Sequence, residues 1–371
     1  MRARRPLRIV VIAPLRFPIR RPHAGGLEAA VWSEVDALRS RGHHVTFIAP
    51  DGSDFLGDDD AFTLPSLQWS DRAEQTDTTW PETYDTLNAA ALARALDGIA
   101  ADRQRYDVIS NHCLHPLPLH RAPTLGIPMV TTLHTPVDTA FVDANRAARG
   151  AGSVFLSVSA HTKVQWQGAG VPSTTLPNGV DPAAWPLGPG GDDLVWFGRI
   201  VPEKAPHLAV DVARRLGRRL VVAGRVGDAR YAETHLFPLL GRGIDYAGPL
   251  APDALAALVG HSALTLTTPA WQEPFGLVAP ESLLCGTPVV GFAVGGVPEI
   301  AAAAVGMHLV PAADVGAMTR RAAEVLTDAP RRGEREAIRR AAAERFSLQS
   351  RIAALEEIFT GLRGGPTELT A

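Results

Sequence analysis

At 371 residues the chain is longer than the roughly 250 residues that one hydrophobic core organises, so two domains are expected. Hydrophobic residues make up 46% and charged residues 20%, a soluble globular composition that excludes disordered, fibrous and membrane-spanning classes. The net charge of -3 lacks the basic excess that nucleic-acid capture needs, and two distant cysteines, Cys113 and Cys285, make neither a disulfide framework nor a four-cysteine metal site, so a reduced cytoplasm is expected.

The basic start, Met1 to Arg8, leads into Ile9-Val10-Val11-Ile12-Ala13-Pro14, an apolar run too short for a signal peptide or membrane span. It reads as a buried first strand. Arg2, Arg4, Arg5, Arg8, Arg16, Arg20 and Arg21 read first as solvated charges; peripheral contact with anionic lipid is the less favoured reading. Further strands are expected at 44–49, 108–110, 129–133 and 154–158, where β-branched or apolar residues run together. Between the first two strands, Leu27, Val31, Val35 and Leu38 repeat at helical spacing, which gives one right-handed βαβ unit. Asp181 to Gly191, rich in proline and glycine, reads as an interdomain linker. The pattern then restarts, with strands expected at 194–197, 220–223, 244–246, 264–267 and 288–292 and helices such as 207–216 and 253–259. An amphipathic tail follows, with Ile352, Leu355, Ile358 and Phe359 on one face. The expected organisation is an α/β domain over 1–182, a second over 183–347, and a C-terminal helix within 348–371 that packs back on the first. Open parallel sheets bind ligands beyond their strand C-termini, so the expected site is a cleft between the domains.

The segment Glu273-Pro274-Phe275-Gly276-Leu277-Val278-Ala279-Pro280-Glu281 carries the most chemistry. Two carboxylates bracket a glycine between a strand and a helix. Free N–H groups around Phe275, Gly276, Leu277 and Val278 suit a diphosphate, and Glu281 suits a ribose diol. Pro280 is tolerable only if the helix starts at Leu277 or Val278, where its missing N–H is an orphan anyway.

Glu273 and Glu281 at Glu-x7-Glu spacing, followed by Cys285-Gly286-Thr287-Pro288-Val289-Val290 and Gly295-Gly296-Val297-Pro298-Glu299, resemble glycosyltransferase family 4. Gly25-Gly26 resembles that family's N-terminal glycine loop. Pro177-Asn178-Gly179-Val180-Asp181 resembles the stretch before its linker, and Phe197-Gly198-Arg199-Ile200-Val201-Pro202-Glu203-Lys204 its phosphate-binding stretch. The resemblance implies a GT-B fold, two Rossmann-like domains facing a cleft, and metal-independent transfer of a hexose-type sugar with retention. The donor it implies is a nucleotide diphosphate sugar, UDP before GDP.

Carried over by position, Arg199 and Lys204 neutralise the leaving diphosphate. Glu281 holds the ribose, and Glu273 lies at the donor sugar's hydroxyls near the reacting carbon. His134, at the end of an expected strand, lies beside the donor sugar. Gly25, Gly26, Asn178, Gly198, Phe275, Gly276, Leu277 and Val278 complete the implied donor site. The acceptor, a small molecule, glycan or lipid, is expected at the loops near Gly25, 51–80 and 112–120. A GT-B-like nucleotide-sugar epimerase is the second reading and a non-catalytic sugar-nucleotide-binding subunit the third.

Other clusters point elsewhere with less force. Asp58-Asp59-Asp60 reads as a solvated acidic loop. His112, Cys113 and His115 have no second cluster to complete a zinc set, and Pro116 and Pro118 suggest an irregular loop. No metal or other cofactor is expected.

Overall fold

The structure is a computed structural model that describes residues 5–67, 79–328 and 331–363. Part of the expected acceptor segment 51–80, the arginines at positions 2 and 4, and the tail beyond 363 lie outside the described residues. The chain forms two compact units, with its breaks at 179/180 and 347/348.

The first unit is built on seven strands: β1 (Arg8–Ile12), β2 (His44–Pro50), β3 (Thr63–Leu64), β4 (Val108–Asn111), β5 (Met129–Leu133), β6 (Ser153–Ser157) and β7 (Thr174–Thr175). They lie in the order β3-β2-β1-β4-β5-β6-β7, all parallel. Ile9, Val10, Val11 and Ile12 are fully buried on both faces of β1, as a central parallel strand covered by helices requires. The helix Gly26–Ser40 covers one face with Val31, Val35 and Leu38, all at zero exposure. The tail helix Leu348–Arg363 packs on that same cluster through Ile352, Leu355 and Phe359. Glu356, from this helix, takes a bidentate Arg41 guanidinium at 2.7 and 3.1 Å and the His43 ring at 2.9 Å.

The second unit has six strands: β8 (Leu194–Phe197), β9 (Leu220–Ala223), β10 (Ile244–Gly248), β11 (Leu264–Thr267), β12 (Val289–Phe292) and β13 (Met307–Val310). Their order is β10-β9-β8-β11-β12-β13, again parallel throughout. Each sheet is therefore wound outward in both directions from one central pair, β1/β4 in the first unit and β8/β11 in the second. Loops leaving the C-terminal ends of such a pair diverge and leave a crevice, which places the chemistry of doubly wound sheets there.

Two expectations need correction. Residues 181–191 are no free linker but part of the second unit. Gly188 N–H donates to Cys285 O at 3.0 Å and Gly190 N–H to Gly260 O at 2.9 Å. A Cβ on Gly188 would collide with the Gly260 backbone, so this glycine serves close approach rather than flexibility. Buried Arg335 closes the same junction, donating to the carbonyls of Gly188, Gly260 and Cys285 and to Thr287 Oγ1 at 2.9 to 3.2 Å. The stretch expected as an irregular loop after His112 turns at Leu117 into a helix, Leu117–Leu125. Pro116 precedes it and Pro118 sits in its first turn, where a missing N–H costs nothing.

Candidate active site

In the second unit the loops leaving β8 and β11 hold most of the residues that the sequence marks. Gly198 follows β8 at φ +152°, a backbone conformation that side chains disfavour, and its N–H bonds Ala223 O at 3.0 Å. The half-buried Arg199 comes next. Lys204 ends the turn Pro202–Lys204, and the following Ala205 takes φ +44°, unusual for a residue other than glycine.

The loop after β11 holds this turn in place. Thr268 Oγ1 lies 2.9 Å from Lys204 O and 3.0 Å from Ala205 O, and accepts the Trp196 indole N–H at 3.0 Å. Ala270 N–H donates to Glu203 O at 2.8 Å.

Glu273 is buried at the meeting of the two loops. Its Oε2 takes the Trp271 indole N–H at 2.8 Å and pairs with the Lys204 ammonium. Its Oε1 makes no hydrogen bond to the described residues. The backbone of Glu273 is fixed from below by Gly295 and Gly296. Gly296 N–H donates to Glu273 O at 2.8 Å, Gly295 N–H to Gln272 Oε1 at 3.1 Å, and a Cβ on Gly295 would overlap the Glu273 carbonyl.

Beyond Glu273, Phe275 packs edge-on to Phe346 with centroids 6.4 Å apart. Gly276 turns the chain at φ +96°. The N–H groups of Phe275, Gly276 and Leu277 donate to no backbone carbonyl among the described residues, which leaves donors for a ligand's oxygens. The helix Val278–Leu284 starts late enough for Pro280 to fall in its first turn.

Glu281 lies one residue further on. Burial pushes its carboxyl up to about 8, against the pull of Lys204. The acid form that burial favours at Glu281 can both give and accept a hydrogen bond, whereas Glu273 Oε2 already accepts from Lys204 and Trp271.

In the first unit the glycine loop precedes the helix Gly26–Ser40. Gly25 occupies its N-cap, where no side chain caps the helix, and Glu28 lies buried in its first turn. His112 follows β4 and His134 follows β5. His134 Nε2 is 2.9 Å from His112 Nδ1, and His112 Nε2 is 2.9 Å from Glu34 Oε1. Ser110 Oγ donates to the same Glu34 oxygen at 2.7 Å, and the Arg351 guanidinium lies 3.7 Å from Glu34 Oε2.

Burial alone would raise the Glu34 carboxyl, but His112, Arg351 and the Ser110 hydroxyl together bring it down to about 2. Burial, then His112 and Arg351, hold His134 well below the usual imidazole range despite Glu34, so its ring is neutral. Asn178 is buried near the end of the unit, its Oδ1 without a hydrogen-bond partner among the described residues.

Glu34, Ser110, Trp271 and Arg351 belong to no motif of the sequence, and His112 resembles there only an incomplete zinc ligand. For Glu34 there was a signal. It falls on the apolar stripe of its helix, between Val31 and Val35, where a carboxylate is buried only with a partner.

Two wound parallel sheets with loop-borne charges at their central strands define the GT-B class, and solved structures share it. The Anabaena protein HepE, solved with UDP, superposes with TM-score 0.72 at 18% identity, covering 96% of this chain and all of that one. Sucrose-phosphate synthase of Thermosynechococcus elongatus gives 0.75 at 17% identity, covering 97% and 100%. Residues 24–184 match the profile described as Glycosyltransferase Family 4, and residues 182–345 that of Glycosyl transferases group 1. The chain belongs to the family 4 glycosyltransferases.

Among curated relatives, D-inositol 3-phosphate glycosyltransferase of Mycolicibacterium smegmatis is 35% identical over 157 residues, 41% of this chain and 35% of that one. A 2-deoxystreptamine N-acetyl-D-glucosaminyltransferase of Streptomyces fradiae is 35% identical over 153 residues, 38% of this chain and 36% of that one. These matches span only about a third of either relative's length. Glycogen synthase of Mycobacterium tuberculosis is 29% identical over 324 residues, 74% of each chain.

Proposed function

We propose that the protein transfers a hexose-type sugar from a nucleotide diphosphate, UDP before GDP, to an acceptor hydroxyl, with retention at the anomeric carbon and without a metal ion. The observation that carries this reading is the join of the β8 and β11 loops. There Lys204 meets Glu273, followed in the chain by three backbone N–H groups that bond no backbone carbonyl among the described residues and by Glu281, whose carboxyl burial pushes up. Cations and N–H donors suit the diphosphate, whose charge grows as the sugar bond breaks, and Glu281 suits the ribose diol. Glu273 Oε1 is an open acceptor for sugar hydroxyls.

As the bond to the diphosphate lengthens, the acceptor hydroxyl attacks the anomeric carbon from the same face, and the departing phosphate oxygen takes its proton. Arg199 and Lys204 would then supply the charge neutralisation that a metal supplies elsewhere, and turnover measured with and without chelator is expected to be equal. No helix among the described residues is long and apolar enough to cross a membrane. Both cysteines are buried and unpaired, which suits a reducing cytoplasm.

The test is incubation with UDP-glucose, UDP-N-acetylglucosamine and GDP-mannose, with and without a panel of small, glycan and lipid acceptors. The expected result is a glycoside of unchanged anomeric configuration by proton NMR, and only slow hydrolysis without acceptor. A new sugar nucleotide formed without acceptor would mark an epimerase instead. Nucleotide binding with no turnover on any acceptor would mark a non-catalytic subunit. A trapped glycosyl ester on Glu273 would replace same-face attack by double displacement.

A further inference from the structure

The arrangement of Glu34, His112 and His134 determines more than burial. His112 Nε2 faces two oxygens, Glu34 Oε1 at 2.9 Å and Ser110 Oγ at 3.1 Å, and the Ser110 hydroxyl proton is itself engaged by Glu34. Both are acceptors toward the ring, so the His112 proton sits on Nε2. With a single proton on the His112 ring Nδ1 is a lone pair, and the atom facing it at 2.9 Å, His134 Nε2, then carries a proton; a doubly protonated His112 would instead donate from Nδ1 to His134 Nε2. That leaves His134 Nδ1, which has no hydrogen bond to the described residues, as an acceptor.

The frame around this chain is buried and hydrogen-bonded. Glu34 and His112 are each 1% exposed, the His112 N–H is held by Ile12 O at 2.8 Å, and the two imidazoles lie 5.2 Å apart at a 37° tilt. Arg351 ties in the tail helix, donating to Leu176 O and Pro177 O at 2.8 and 2.9 Å while facing Glu34.

We propose that Glu34 and His112 are positioning residues that lock His134 in its Nε2–H form, so that His134 Nδ1 receives a hydrogen bond from a substrate hydroxyl and offers nothing to a phosphate oxygen. This rests on the transferase reading for its substrate, but the lock itself is a property of the ligand-free protein. His134 thereby selects a ligand group that donates, a sugar or acceptor hydroxyl, over a deoxy or phosphorylated one.

The test reads the ring nitrogens by nitrogen-15 NMR of histidine-labelled, ligand-free protein near neutral pH, with His134 assigned by loss of its signals in His134→Gln. Expected for wild type is a protonated Nε2 and an unprotonated Nδ1 at His134. His112→Ala should give a mixture of tautomers, and His112→Gln, whose carboxamide oxygen replaces the Nδ1 lone pair, should restore the wild-type signals. In parallel, kcat for hydrolysis of whichever of UDP-glucose, UDP-N-acetylglucosamine and GDP-mannose the wild type cleaves fastest should fall about tenfold or more in His112→Ala. KM should stay within about threefold, and His112→Gln should recover part of the loss. A proton on His134 Nδ1 in wild type overturns the proposal, as does a His112→Ala protein with unchanged tautomer, or with changed tautomer and full turnover. If His112→Ala does not fold, His112→Gln and Glu34→Gln carry the same measurements, Glu34→Gln being expected to mix the tautomers. If the wild type cleaves no nucleotide sugar with or without acceptor, the transferase reading fails while the nitrogen signals still decide the lock.

Discussion

Lys204→Ala is expected to lower turnover by about 10²-fold or more while the protein stays folded, the scale seen when one preorganised charge-stabilising donor is lost. The reason lies in what Lys204 touches. Its ammonium pairs with Glu273, lies 5.6 Å from the Trp271 ring centre, and sits on a turn whose backbone is held by Thr268. Removing the side chain leaves that backbone scaffold in place and Glu273 still bonded to the Trp271 indole, so little packing is lost. The lysine side chain is 22% exposed, so water reaches the site when it is removed, and the Trp271 indole still bonds the Glu273 carboxylate. Steady-state kinetics beside a thermal melt checks this. A melting temperature lowered by more than a few degrees, or turnover equal to wild type, counts against the assigned role.

A second substitution acts on the same site through the backbone. Gly295→Ala should destabilise the fold by about 2 to 3 kcal/mol and cut turnover at least about tenfold, although residue 295 has no side chain to offer a substrate. At φ +57° an alanine costs about 1 to 2 kcal/mol in conformation alone. Its Cβ would also overlap the Glu273 carbonyl, nitrogen and carbon, forcing the Glu273 loop to move. Gly217→Ala separates the two contributions. Gly217 has φ +62° and nothing within 4 Å of a Cβ, so it should show the conformational cost with full turnover. Chemical denaturation and kinetics on both variants give the comparison. Equal effects from the two would show that the Gly295–Glu273 approach does not matter.

Much of the fold was readable because buried parallel strands are near-continuous apolar runs. Met129–Leu133, Leu194–Phe197, Leu220–Ala223 and Leu264–Thr267 have the bounds that their residues suggest. β13 was passed over because His308 interrupts Met307–Val310, and β3 and β7 because two residues carry no period. Proline and glycine misled where position mattered more than composition. Pro116 and Pro118 open a helix, and Gly188 permits a backbone contact in what reads as a linker.

The Glu273–Glu281 stretch stood out because charge is unusual between a buried strand and a glycine turn. Its pairing with Lys204, 69 residues away in sequence, follows only from β8 and β11 being neighbours. The Glu34–His112–His134 chain joins a helix and two strand ends, and spacing along the sequence encodes none of those contacts.

A diphosphate site on the second unit is read by calorimetric titration of UDP, GDP, ADP and TDP into wild type and Arg199→Ala. One of the four, UDP first, is expected to bind the wild type and to bind Arg199→Ala about tenfold or more weakly, as loss of a charge-assisted contact to phosphate should. Wild-type protein that binds none of them, or an Arg199→Ala variant that binds as tightly, would contradict it.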